Sequence, residues 1–332
     1  MLEIRQLKHL AARLGVSLEC LEEVADSADR WCDELELLDP AKPNKQRMVL
    51  NIFGPLRKIQ AKMLRQVLLP KLHVSEFSHG GVRGRHIKTN VVQHIKSTFV
   101  FTADISDFYP TISHDRVYGL FAKNFGCSPD VARICTKLCT YKHHLALGLI
   151  TSPILADQMM RPIDARIGAA CHKAGLVYTR YVDDIAISGA FNLEESGFSV
   201  LVQGILREHG FKANPDKNCF GRLADGVPIT KIRINRGHLD VRREYLNELE
   251  RQISDAASLA VDGDFRGPYY TESQIWGRVQ FVCWVNPGRR KTLLGKYRTV
   301  PWQKVNEEAR HRGLIATTKR LQRRHNLAMR TS

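Results

Sequence analysis

Apolar positions along the chain switch repeatedly between a helical and a strand spacing. Leu7, Leu10, Ala11 and Leu14 share one helix face, Gly15 stops that helix, and Ser17 caps a second helix carrying Leu18, Leu21 and Val24. A helical segment is therefore expected over residues 1–39. Lys42 to Leu50 reads as a basic turn entering a strand, and Pro55 through Leu56, Ile59, Met63, Leu64 and Val67 to Pro70 as a helix. Phe99-Val100-Phe101-Thr102-Ala103 is a hydrophobic strand that runs directly into Asp104. Ser113 caps a helix through Val117, Leu120 and Phe121, a further helix is expected over 128–145, and another from Ser152 through Ile167. Val177 and Tyr178 lead into the doublet Asp183-Asp184, and Ile185 and Ile187 lead out at period two, which predicts two strands joined by a tight acidic turn. Leu201 to Glu208 is a helix closed by Gly210, and Pro228 to Asn235 alternates as a hairpin strand. From about Leu239 the chain turns helical again, with Leu246, Leu249 and Ile253 on one face.

At 332 residues with 43% hydrophobic content, the chain can bury a substantial core in one composite domain or two to three subdomains, which excludes a disordered protein. It has no apolar run of about 18 residues, so no membrane span is expected. The start, Met1-Leu2-Glu3-Ile4-Arg5, does not resemble a secretory leader. The eight cysteines include no Cys-x-x-Cys pair, so reduced thiols in a cytoplasmic protein are expected. The net charge of +16 and pI near 9.6 change the picture more. They point to a polyanionic partner, and to nucleic acid rather than a membrane surface, because no basic amphipathic helix with a bulky apolar face stands out. The charge is concentrated late: Asn286 to Arg330 carries thirteen Lys or Arg against two acids, Glu307 and Glu308.

The acids carry the chemistry. Adjacent carboxylates between hydrophobic strands are costly unless a cation sits with them, and Mg²⁺ is the natural one, since it takes hard oxygen ligands. A second strand ending in Asp104 supplies what a pair of metal ions needs for in-line phosphoryl transfer. The basic, glycine-rich run Ser78 to His86 could let backbone approach a phosphate, although no Gly-Lys-Ser/Thr makes it a P-loop. Cys135, Cys139 and His143 are spaced along one expected helix, where three ligands cannot enclose a tetrahedral zinc; small buried cysteines are the better reading.

Tyr181-Val182-Asp183-Asp184, preceded by a strand ending Asp104-x-x-x-Phe108-Tyr109, resembles the palm of a reverse transcriptase, and the flanking blocks resemble bacterial retron-type enzymes. Asn90-Val91-Val92-Gln93-His94 is similar to the family's Asn-Ala-x-x-His, with Val for Ala, and His94 is given a structural role. Gly148, Ser152 and Pro153 match a block in which Leu147 stands where the family has Gln. Lys217 falls in a block like Gly-x-x-x-Asn-x-x-Lys, and Ile229-Thr230-Lys231 matches Val-Thr-Gly only at Thr230.

The resemblance implies an α+β right-hand polymerase: an N-terminal helical segment (1–39), fingers (40–97), a palm with an antiparallel sheet (98–235, with a fingers insertion around 122–150) and a mostly helical thumb with a basic tail (236–332). It implies that Asp104, Asp183 and Asp184 are catalytic and bind two Mg²⁺ (Mn²⁺ as an alternative), with the Ile105 carbonyl as an extra ligand. Lys45, Arg47, Tyr109 (as a steric gate against a ribose 2′-OH), Gly148 and Lys217 would serve the nucleotide. Arg83, Arg85, Asn90, Thr230, Lys231, Arg289, Arg290 and Lys291 would hold nucleic acid. The implied activity is RNA-directed DNA polymerisation from dNTPs, copying part of a cognate structured non-coding RNA into single-stranded, RNA-linked DNA. Phage defence with a separate effector protein is implied as well. The alternatives are another defence-associated reverse transcriptase, protein-primed or template-independent, and a non-catalytic RNA-binding scaffold.

Overall fold

Leucine periodicity and capping begin the fold where the sequence places them. Helix α1 (Leu7–Leu14) ends at Gly15 with φ +58, and α2 (Leu18–Asp26) starts where the Ser17 side chain accepts from the Cys20 N–H. The computed structural model describes residues 2–39, 42–235, 237–261, 268–314 and 318–320; side chains at 38–39, 42–47 and 318–320 lie outside the described set. The helical expectation for 1–39 fails at its end. Cys32–Asp39 is a strand, β1, paired antiparallel with β2 (Lys42–Ile52). Its run of Leu and Glu suits a helix by propensity, but long-range pairing overrides that preference.

Helix α3 (Gly54–Lys62) follows and runs on through a π-helical turn, Met63–Leu68. Short α4 (Ile87–Val92) precedes β3 (Phe99–Asp104), and α5 (His114–Gly119) is capped by Ser113. The helix expected over 128–145 is α6 (Pro129–Cys139), which stops because Thr140 is extended and Lys142 and His143 take positive φ. Helix α7 (Ser152–Lys173) feeds the hairpin of β4 (Val177–Tyr181) and β5 (Asp184–Gly189), and α8 (Phe198–Glu208) leads to β6 (Cys219–Arg222). A second hairpin, β7 (Ile232–Asn235) with β8 (His238–Val241), delays the return to helix until α9 (Arg243–Val261). Then come α10 (Glu272–Val285), α11 (Arg290–Arg298), α12 (Trp302–His311) and β9 (Thr318–Arg320), which adds antiparallel to β1.

The central sheet, ordered β4-β5-β3-β6, is antiparallel throughout. Period two divides its side chains between two cores. Phe101, Ala103, Ile185 and Ile187 join the core built with α1–α3 and α5–α8, whereas Val100 and Ala186 join the core of β7, β8 and α9–α12. Covered on both faces, the sheet leaves its strand ends as the place for polar chemistry.

Gly148 fixes how β2 meets the loop before α7. The Leu50 N–H donates to the Leu147 carbonyl at 2.8 Å, and a Cβ on Gly148 would lie 2.1 Å from the Leu50 carbonyl oxygen. Its φ of +108 also belongs to glycine. Gly148→Ala is expected to destabilise the fold by more than about 1 kcal/mol, read as a lower denaturation midpoint; an unchanged midpoint would mean that this junction yields freely.

Candidate active site

Strand pairing brings the three acids to one sheet end. Asp104 stands opposite Asp184 in the β3–β5 register, and Tyr181 pairs with Asp184 across the β4–β5 hairpin. Val182 and Asp183 make the link, with Val182 at φ +60, a conformation foreign to β-branched residues. The Ile105 N–H donates to the Asp183 carbonyl at 3.0 Å and ties the turn to the end of β3. On the other side, the Ser106 N–H donates to the Lys212 carbonyl (2.8 Å) and the Asn214 N–H to the Asp104 carbonyl (2.7 Å). This zipper delivers Lys217, whose Nζ lies 2.7 Å from Asp104 Oδ2.

Burial, then the charges of Asp183 and Asp104, push the Asp184 carboxyl up to about 7, against the pull of Lys217 and Lys231. Burial and the nearby Asp183 charge push the Tyr109 phenol up to about 12, so the ring belongs to the same electrostatic neighbourhood. The donors are hard oxygens with negative charge in excess, the chemistry that fits Mg²⁺ or Mn²⁺. Among the described residues, no three His, Cys, Asp or Glu side chains are arranged to hold an ion as they stand. Asp104 Oδ2 is engaged by Lys217, and the residues fit a divalent cation in kind.

Around the acids the expected residues divide. Gly80 packs against the acidic turn, where a Cβ would meet Val182 Cγ2 at 2.4 Å, so its smallness serves chain-to-chain contact. Arg85 is likewise turned inward, its Nη1 donating to the carbonyls of Ser75 (2.9 Å), Glu76 (3.0 Å) and Ser78 (2.6 Å). Asn90 is fully buried and its Nδ2 donates to Thr230 Oγ1 at 3.2 Å, joining α4 to the turn before β7. Arg289 holds Asp240 through two hydrogen bonds of 2.9 and 2.6 Å. Arg85, Asn90 and Arg289 thus each have a partner within the fold, and Gly148 a close backbone neighbour in Leu50. Arg83, Lys231, Arg290 and Lys291 are exposed. The side chains of Lys45 and Arg47 lie outside the described residues.

Sequence reasoning missed Arg180. Its fully buried guanidinium contacts Asp157 and Asp164 of α7 and the Val182 carbonyl. The available signal was an arginine in the middle of a β-prone run, two residues before the turn. The structural role given to His94 agrees with its surroundings. Nδ1 lies 2.7 Å from Ser188 Oγ and Nε2 2.7 Å from Thr179 Oγ1, and the Ser188 hydroxyl donates to Ser97 Oγ at 2.8 Å.

Residues 39–246 match the family described as reverse transcriptase (RNA-dependent DNA polymerase). The chain is similar to the Retron Ec86 reverse transcriptase of Escherichia coli, 26% identical over 253 residues that cover 75% of this chain and 78% of that protein. It is also similar to the Retron Mx65 reverse transcriptase of Myxococcus xanthus, 28% identical over 310 residues, covering 87% of this chain and 70% of that protein.

Burial pushes the His94 imidazole down to about 3 from its ordinary 6.5. The unfolded chain therefore binds this proton more readily, and stability falls as pH drops below about 6.5, levelling near about 3. At about pH 5 the loss from this ring is about 2 kcal/mol. Denaturation followed across this range should show a shallower pH slope for His94→Gln than for the unsubstituted chain; equal slopes would place the acid sensitivity elsewhere.

Proposed function

Because the chain belongs to the reverse transcriptase (RNA-dependent DNA polymerase) family, and is of the retron type, we propose that its polymerase activity copies part of a cognate structured non-coding RNA into single-stranded DNA. In this reading the DNA stays joined to the RNA, and the pair works in the cytoplasm with a separate effector protein in defence against phage. The observation that carries the chemistry is the register that sets Asp104 against Asp184 beside the Asp183 turn. No described helix is long and apolar enough to cross a membrane.

The right-hand assignment is part of the same proposal. The sheet β3–β6 with α7 and α8 would be the palm, the β1–β2 hairpin the fingers, and α9–α12 the thumb. In this reading the fingers would start with β1 at Cys32, earlier than the residue 40 expected from the sequence. Asp104, Asp183 and Asp184 would hold the divalent ions. When bound, such ions lower the pKa of an attacking hydroxyl and neutralise charge on the transferring phosphoryl group. Lys217, released from Asp104, would carry its positive charge to the departing pyrophosphate. Tyr109, packed beside the turn, would crowd a ribose 2′-OH. Lys45 and Arg47 would reach the triphosphate, and Arg83, Lys231, Arg290 and Lys291 the nucleic-acid backbone.

Nucleic acid copurified from the native genomic context tests the whole reading. Asp183→Asn/Asp184→Asn should lower DNA synthesis on the order of a hundredfold or more while RNA still copurifies. A discrete RNA-linked DNA, present only with intact acids, supports the proposal. RNA alone in both samples would leave a binding scaffold, and untemplated or repetitive DNA would point to another defence polymerase.

Lys217→Gln tests the leaving-group role. It should slow single-turnover nucleotide addition by about tenfold or more and leave primer–template affinity unchanged. An unaltered rate removes Lys217 from the chemistry.

A further inference from the structure

Val182 occupies a backbone conformation at the catalytic turn that a β-branched residue avoids, at φ +60. Such strain persists only where the surroundings over-determine it. Three elements do so here. Gly80 sits so close that any side chain there would strike Val182. The Ile105 N–H holds the Asp183 carbonyl. Arg180 Nη1 donates to the Val182 carbonyl at 2.9 Å.

The guanidinium itself is locked. Its Nε and Nη2 donate to Asp164 at 2.9 and 2.8 Å, and Nη2 donates to Asp157 at 2.9 Å. The acids are fixed in turn: Tyr178 Oη donates to Asp164 at 2.7 Å, and the Ser75 N–H to Asp157 at 3.0 Å. The Arg180 backbone is paired as well, its N–H donating to the Phe77 carbonyl and its carbonyl accepting from the His79 N–H, each at 2.8 Å. A bracket of this kind costs desolvation and exceeds what a hydrophobic core needs. Every donor of the arginine that is aimed at the turn or at α7 finds a fixed acceptor, so its position is specified from helix to hairpin.

We propose that Arg180 is a positioning residue of the polymerase site: clamped between Asp157 and Asp164, it holds Val182 in the left-handed conformation and thereby sets the direction of the Asp183 and Asp184 carboxylates. The proposal rests on the reading of those carboxylates as divalent-ion ligands, and supporting groups of that kind govern metal affinity and rate together.

The test uses Mn²⁺ alone as probe, its binding followed by electron paramagnetic resonance, alongside primer extension. The proteins are the unsubstituted chain, Arg180→Lys, Val182→Gly and the double variant. Lysine keeps the charge between the two acids but cannot also reach the Val182 carbonyl, so Arg180→Lys should weaken Mn²⁺ binding and turnover about tenfold with little change in KM for dNTP. Glycine takes positive φ without strain, so Val182→Gly should restore much of that loss in the Arg180→Lys background. A purely structural arginine would not be rescued this way. Unchanged Mn²⁺ affinity in Arg180→Lys, or a loss that Val182→Gly leaves untouched, overturns the proposal. If Arg180→Lys does not fold, Asp157→Asn carries the same test with a loss of a few fold and the same rescue. Should the unsubstituted chain bind Mn²⁺ yet extend no primer, the functional reading fails while the Mn²⁺ comparison still decides the role of Arg180.

Discussion

Like charge gathered at one end of a sheet is the constraint on which the rest of the structure depends. Antiparallel pairing of β3 with β5 sets Asp104 against Asp184, and the hairpin adds Asp183. Two like charges a few ångströms apart repel by roughly 3 kcal/mol at the effective dielectric of a protein. Burial first, then the charges of Asp183 and Asp104, raise the Asp184 carboxyl from 3.8 to about 7, a combined cost of roughly 4 kcal/mol. Either figure is a sizeable part of the roughly 5–15 kcal/mol by which a domain is stable. Such a cluster persists because the two hydrophobic cores hold the strands in register regardless of what their ends carry. Lys217 on Asp104 is the chain's own partial answer, and a divalent cation would be the fuller one.

The same rigidity explains the strained turn. A relaxed hairpin would let Asp183 and Asp184 splay apart and shed their repulsion. Gly80, Ile105 and Arg180 together hold the turn against doing so. Repulsion and strain are thus held by neutral packing on one side and by a buried cation on the other. The cation belongs to α7, through Asp157 and Asp164, as much as to the strand that carries it.

Much of this was legible in the sequence, and the misses share a cause. The acidic hairpin, the strand into Asp104 and the capped helices α1, α2 and α5 each declare themselves over a few consecutive residues. β1 does not: its Leu and Glu residues suit a helix, and only β2 makes it a strand. The loop Ser78 to His86 looks like a phosphate cradle by composition. What its glycine at 80 approaches is Val182, about a hundred residues away in sequence, and no local pattern reveals that partner. Arg180 could also have been suspected from the seven-residue spacing of Asp157 and Asp164, which puts two acids on one face of α7 among buried Ile, Leu and Met residues.

Charge shows the same division between local and long-range information. The net +16 pointed to a polyanion, yet the basic residues form two populations. Arg180, Arg85, Arg289 and Lys217 are committed to carbonyls or carboxylates within the fold. Arg83, Lys231, Arg290 and Lys291 stand exposed. Under the proposed function, exposed cations of the second kind are the ones that would give up counterions to a phosphate backbone. The buried Arg180 clamp is shielded from ionic strength, and the geometry of the acids is therefore set independently of how tightly nucleic acid is held. Lys217 is the half-exposed member of the first population, paired with Asp104, which suits the change of partner proposed for it.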